Sequence, residues 1–216
     1  MLLEVERKLI AEYGRKMKHE GLVKGTGGNL SIFSRRDGLI AISPSARDYD
    51  GITPEDVLVV RLDGTVAEGK LRPSSELRMH SVFYQRRTDI DALVHTHSVN
   101  ATALSCLRMG LPPIYYLTIA AGRAVRCAAY ALATSAELAE SAFAAMEGNL
   151  ATLLANHGVL AGGYSLPFAY HLAEQVEFAA ELYLKARAVG TPVELSPGQI
   201  DDMIALNAKY GIGRKP

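Results

Sequence analysis

Between residues 3 and 20, Leu3, Ile10, Tyr13 and Met17 fall at helical intervals among charged residues. The spacing predicts an amphipathic helix ending near Gly21. After the glycine-rich turn Gly25-Thr26-Gly27-Gly28-Asn29 the pattern changes to short apolar runs. Residues 30–34 and 39–43 read as two strands joined by Arg35-Arg36-Asp37-Gly38, an Asp-Gly hairpin in which glycine supplies the positive φ that tight turns need. Residues 57–62 and 65–67 repeat this arrangement around Asp63-Gly64.

Pro73-Ser74-Ser75-Glu76 has the composition of a helix start, with serine caps and an acid near the positive dipole end, and predicts a helix to about residue 87. Residues 92–96 form a short apolar strand leading into His95-Thr96-His97. A helix near 100–107, strand-like pieces at 114–117 and 125–127, and a helix over 135–146 follow. Strands at 151–154 and 159–161 flank Asn156-His157-Gly158, and the chain closes with helices over 167–187 and 197–210. Early hairpins with helices interspersed later predict an α/β fold with a mostly antiparallel sheet, not a doubly wound parallel one.

Composition narrows this picture. A chain of 216 residues fits one domain, 1–216, and 49% apolar with 21% charged residues suits a globular core. Lys plus Arg and Asp plus Glu are both 23, so no net field draws the chain to nucleic acid or to an acidic membrane. The uncharged stretch 149–173 contains His157, His171, glycines and Pro167, which argues against a membrane span. The first residues interleave charge with apolar side chains, unlike a signal peptide, and Cys106 and Cys127 are too few for a disulfide framework. A cytoplasmic protein with two buried, inert cysteines is the expectation.

The candidate chemistry centres on histidine. His95 and His97 are two residues apart on a strand, and so project to one side. His157, between Asn156 and Gly158 at a strand end, can supply a third imidazole. Three nitrogens with an open fourth position is the ligand set of a catalytic zinc; hydrogen-bonded core histidines would have the same spacing. Glu76 is either a partner for its helix dipole or a general base beside a metal. The glycine turn is either a permissive loop or an anion-binding nest completed by Ser74 and Ser75. His19, His80 and His171 lie on predicted helices without partners in register, and read as surface or packing residues. Arg123 and Arg126 read as salt-bridged surface.

Taken together, Gly25-Thr26-Gly27-Gly28-Asn29-Leu30-Ser31, Arg72-Pro73-Ser74-Ser75-Glu76, Val94-His95-Thr96-His97-Ser98, Asn156-His157-Gly158 and Lys209-Tyr210-Gly211 resemble, in order, the class II aldolase/adducin family. That resemblance implies a three-layer α/β/α fold on a largely antiparallel mixed sheet, and a homotetramer with active sites between subunits. It implies Zn2+ on His95, His97 and His157, with Glu76 able to ligate the ion and to act as catalytic base. Phosphate would be held by Gly28, Asn29, Ser45, Ala46, Ser74 and Ser75. Tyr116 of a neighbouring subunit would move the proton of the aldehyde-derived oxygen, and Tyr210 would close over the site.

The implied activity is reversible cleavage of a ketose 1-phosphate such as L-fuculose 1-phosphate. It yields dihydroxyacetone phosphate and a short aldehyde such as L-lactaldehyde, the zinc storing the electrons as an enediolate. A zinc-dependent sugar-phosphate 4-epimerase, a phosphorylated keto-acid decarboxylase and a non-catalytic adducin-like association module are the alternatives. Ala46 departs from the family glycine, a substitution that restricts the backbone angles open to the loop.

Overall fold

A computed structural model describes residues 1–212. Eight strands form one sheet: β1 (Asn29–Ser34), β2 (Leu39–Ile42), β3 (Leu58–Arg61), β4 (Val66–Glu68), β5 (Ala92–Thr96), β6 (Arg126–Ala128), β7 (Ala151–Leu154) and β8 (Gly158–Gly163). Their spatial order is β4-β3-β2-β1-β5-β8-β7-β6. Every neighbouring pair is antiparallel except β6 with β7.

Among the described residues six α-helices flank the sheet: α1 (Glu4–His19), α2 (Leu77–Arg86), α3 (Val99–Cys106), α4 (Ala136–Ala145), α5 (Leu166–Val189) and α6 (Pro197–Lys209). Successive strand side chains point to opposite faces, and the core divides accordingly. Val94 and Val159 pack with Ile10 and Met17 of α1, Leu104 of α3 and Leu172 of α5. Leu93 and Leu160 pack with Met79 and Phe83 of α2 and Leu138 of α4. This is the three-layer α/β/α arrangement on a mostly antiparallel sheet. Among the described residues no helix is long and apolar enough to cross a membrane.

Two expectations need correction. Residues 114–117 form no strand; Tyr116–Ala121 is a 3-10 helix in which both the amide and the hydroxyl of Thr118 donate to the Tyr115 carbonyl, at 3.2 and 2.6 Å. Pro112 and Pro113 just before it have no N–H to give a ladder, and among the described residues the strand pairing here is limited to an isolated Leu111–Val125 bridge. The cysteines are not buried: Cys106 is exposed and Cys127 half-buried.

Candidate active site

The register of β1 against β5 pairs Asn29 with His95, so their side chains leave the same face of the sheet. That face is the one covered by α2. Gly28, immediately before Asn29, has φ +69°, and a Cβ there would lie 2.6 Å from the His95 carbonyl oxygen. Only glycine admits this approach. The Tyr49 hydroxyl donates to the Gly28 carbonyl at 3.0 Å, and burial pushes its pKa up to about 12, which keeps it a donor. His97 lies one residue past β5, anchored by its amide on the Leu22 carbonyl at 3.1 Å. His157 is presented by the β7–β8 turn, in which Asn156 takes φ +55°.

The three imidazoles converge. Ring centroids are 4.8 Å apart for His95–His97 and for His95–His157, and 5.2 Å for His97–His157. One nitrogen of each lies within 4.8 Å of the others. His95 Nδ1 sits 2.8 Å from the Val159 carbonyl, so that nitrogen carries the proton and donates. The lone pair of His95 is thereby left on Nε2, which faces His97 Nε2 at 3.0 Å. Burial pushes the His95 pKa down to about 4 and also lowers that of His97. Both rings therefore give up a proton more readily than a free imidazole.

Glu76 occupies the N-cap position of α2, but its side chain makes no capping bond. The Ser74 hydroxyl holds the turn ahead of the helix, accepting from the Glu76 amide at 3.2 Å. The carboxylate turns to the histidines: Oε2 lies 3.2 Å from His95 Nε2, and Oε1 lies 3.3 Å from His157 Nε2. Asn29 Nδ2 donates to Oε2 at 2.8 Å. Burial pushes the Glu76 carboxyl up, but the His95 and His157 imidazoles and the Asn29 amide outweigh it, leaving the group below the usual carboxylate range. Oε1 is buried and has no hydrogen-bond partner among the described residues. A buried carboxylate oxygen left open beside three converging imidazole nitrogens is a donor set that fits a divalent cation.

These groups open into a cleft of about 220 Å³ lined by Gly28, Asn29, Ser45, Ala46, Ser74, Ser75, Glu76, His97 and His157. The two serine segments are clamped side by side, Ser45 donating from its amide to the Arg72 carbonyl at 2.9 Å and Ser74 to the Ser43 carbonyl at 3.1 Å. Ala46 takes φ +53°, the left-handed conformation its family glycine would adopt without strain. Thr26 and Gly27 of the glycine turn also line the cleft, as do Pro44, Ala133 and Thr134, which the sequence did not mark because they reach it only through the tertiary fold.

Tyr116 and Tyr210 do not line this cleft within one chain: Tyr116 is 50% exposed beside α6, and Tyr210 is 69% exposed at the end of α6. His19 and His171 are exposed, whereas His80 is fully buried and hydrogen-bonded to Asn29. Arg123 pairs with Asp201 on the surface.

The class II aldolase and adducin N-terminal domain family matches residues 8–184. The chain belongs to this family. It is 46% identical to a 5-deoxy-D-ribulose 1-phosphate aldolase of Bacillus thuringiensis serovar kurstaki, over 98% of this chain and 99% of that one. It is 39% identical to an L-fuculose phosphate aldolase of Escherichia coli K12, over 91% of each chain. A solved L-fuculose 1-phosphate aldolase superposes with a TM-score of 0.92 at 44% identity, covering 94% of this chain and 96% of that one. The protein is therefore a class II aldehyde-lyase. Class II aldolases are metal-dependent, and His95, His97 and His157 form a group able to hold the ion.

Proposed function

We propose that the protein reversibly cleaves a short deoxyketose 1-phosphate between C3 and C4, giving dihydroxyacetone phosphate and a small aldehyde. The observation that carries this reading is the Glu76 carboxylate, ionised and buried, facing three converging imidazoles at the floor of a cleft rimmed by Gly28, Ser45, Ser74 and Ser75. Five-carbon 5-deoxyribulose 1-phosphate is the first substrate to test, given the 46% relative. Six-carbon L-fuculose 1-phosphate is the second, given the 39% relative and the superposed structure. The two differ only in the aldehyde half, acetaldehyde against lactaldehyde.

Zinc held by His95, His97 and His157 would polarise the ketone as a Lewis acid and absorb the charge at C3. In the condensation direction Glu76 takes one proton from C3 of dihydroxyacetone phosphate, for which its depressed pKa keeps it in the basic form. The freed electron pair forms the C3–C4 bond. Tyr116 of a neighbouring subunit then gives its hydroxyl proton to the aldehyde oxygen, and Tyr210 closes over the substrate. Tyr116 lies outside its own chain's cleft, as an intersubunit site in a homotetramer requires. Backbone N–H groups and hydroxyls around Gly28, Asn29, Ser45, Ala46, Ser74 and Ser75 receive the phosphate. The cytoplasm is the expected place of this activity.

The test is to incubate the purified protein with zinc, dihydroxyacetone phosphate and acetaldehyde, glycolaldehyde or L-lactaldehyde, and to identify the ketose phosphate formed. Accumulation of the five-carbon deoxyketose phosphate with acetaldehyde is expected. No condensation with any aldehyde would overturn the reading.

A further inference from the structure

Behind Glu76 runs a line of buried polar groups that the chemistry above does not use. Glu76, His80 and Tyr84 succeed one another every four residues at the start of and along α2. Asn29 and Ser31 alternate along β1 beneath them. Four helical residues advance about 6 Å and two strand residues about 6.6 Å, so helix and strand keep step and the side chains interleave. Asn29 Oδ1 lies 2.6 Å from His80 Nε2; His80 Nδ1 lies 2.5 Å from Ser31 Oγ; Ser31 Oγ lies 2.5 Å from the Tyr84 hydroxyl. His80 and Ser31 are wholly buried, and Tyr84, Asn29 and Glu76 are nearly so.

Chemistry orders every proton in this chain. Asn29 Nδ2 donates to Glu76 Oε2 at 2.8 Å, so the other end of the amide, its carbonyl oxygen, is the atom turned to His80. A carbonyl oxygen only accepts, so His80 Nε2 carries the proton. His80 is neutral, because burial pushes its pKa down to about 3. Its Nδ1 therefore accepts from Ser31, and the Ser31 oxygen is left to accept from Tyr84, whose ionisation burial also suppresses. All four donors point toward the carboxylate.

We propose that Tyr84, Ser31 and His80 form a one-way hydrogen-bond chain that locks the Asn29 amide with its N–H toward Glu76, and that His80 is thereby a positioning residue for the proposed C3 proton transfer. Without it the Asn29 amide is free to rotate and place its oxygen against the carboxylate, releasing Glu76 from its aim between the imidazoles and the cleft. Among the described residues no hydrogen bond joins the side chains of Tyr84, Ser31 or His80 to His95, His97, His157 or the two serine segments, so metal binding and substrate affinity are predicted to be indifferent to them. The inference rests on Glu76 being the base proposed above.

The experiment measures kcat and KM for aldol cleavage, and the exchange of the C3 hydrogen of dihydroxyacetone phosphate with deuterated solvent, in wild type, His80→Leu, His80→Gln and Ser31→Ala, each with its bound metal quantified. If the wild type neither cleaves nor exchanges, the proposed function itself fails. With an active wild type, His80→Leu is expected to lower kcat and exchange by about tenfold or more at nearly constant KM and metal content. His80→Gln, whose amide can still donate to Asn29 and accept from Ser31, is expected to recover most of both rates. Ser31→Ala, a small buried change, is expected to lower both by about threefold or more, and decides the matter if His80→Leu does not fold. Rates within about twofold of wild type in Ser31→Ala and any folded His80→Leu, equal loss in the Leu and Gln variants, or a loss confined to KM would overturn the inference.

Discussion

Asn29 stands directly opposite His95 in the β1–β5 ladder, and the same Asn29 donates to Glu76 at 2.8 Å. One strand register thus sets the imidazole cluster, the carboxylate and the mouth of the cleft together. A slip of one residue would turn Asn29 away from α2 and dismantle the site. Gly28 is where this register is most exposed to mutation, since a Cβ there would sit 2.6 Å from both the His95 carbonyl oxygen and Val23 Cγ1, at φ +69°. Gly28→Ala is expected to lose about 2–4 kcal/mol of stability, from left-handed strain plus overpacking, in urea unfolding, together with most of the activity.

Glu76→Gln keeps the shape of the side chain and removes its charge. We expect kcat for cleavage to fall by about 10²–10⁴-fold and solvent exchange at C3 of dihydroxyacetone phosphate to disappear, with metal still bound by the three histidines. Unchanged exchange would remove Glu76 from the base role.

The buried His80 makes stability depend on acid. Its folded pKa is about 3 against an ordinary 6.5, so below about pH 6.5 the unfolded chain binds a proton that the folded chain refuses. The folded state is then favoured fully above the unfolded pKa and loses stability as pH falls through that window. By pH 5 the loss traceable to His80 is about 2 kcal/mol. In metal-free protein, the drop in unfolding free energy from neutral pH to about pH 5 is expected to be smaller by that amount in His80→Gln than in wild type.

If Tyr116 serves a neighbour's site, two inactive proteins can repair one another. Glu76→Gln and Tyr116→Phe subunits, unfolded and reassembled together in equal amounts, are expected to regain about a quarter of wild-type cleavage, since random mixing in a closed symmetric oligomer unites an intact Glu76 with an intact Tyr116 that often. No recovery in mixed oligomers would place both residues in one chain's site.

Much of this was legible in the chain. Asp37-Gly38 and Asp63-Gly64 marked the hairpins because local turn chemistry decides them, and the His95-Thr96-His97 spacing fixed a shared direction once β5 was recognised. Residues 114–117 misled because their apolar run matches a strand, whereas the prolines ahead of it and the Thr118 bonds to Tyr115 decide the outcome. His80 carries no local signal at all: a solitary histidine on a helix acquires meaning only from the register of α2 over β1. Ala133 and Thr134 reach the cleft for a similar reason, and Cys106 shows that an apolar side chain near a helix end need not be covered.

The central claim is that His95, His97 and His157 hold the ion on which carbon–carbon cleavage depends. The most direct measurement is metal content and ketose 1-phosphate cleavage on one preparation of wild type and of His97→Ala, before and after chelation and zinc addition. The account predicts about one zinc per wild-type chain, activity that vanishes on chelation and returns with zinc, and neither metal nor activity in the variant. Full cleavage by chelated, metal-free protein, or by His97→Ala, would contradict it.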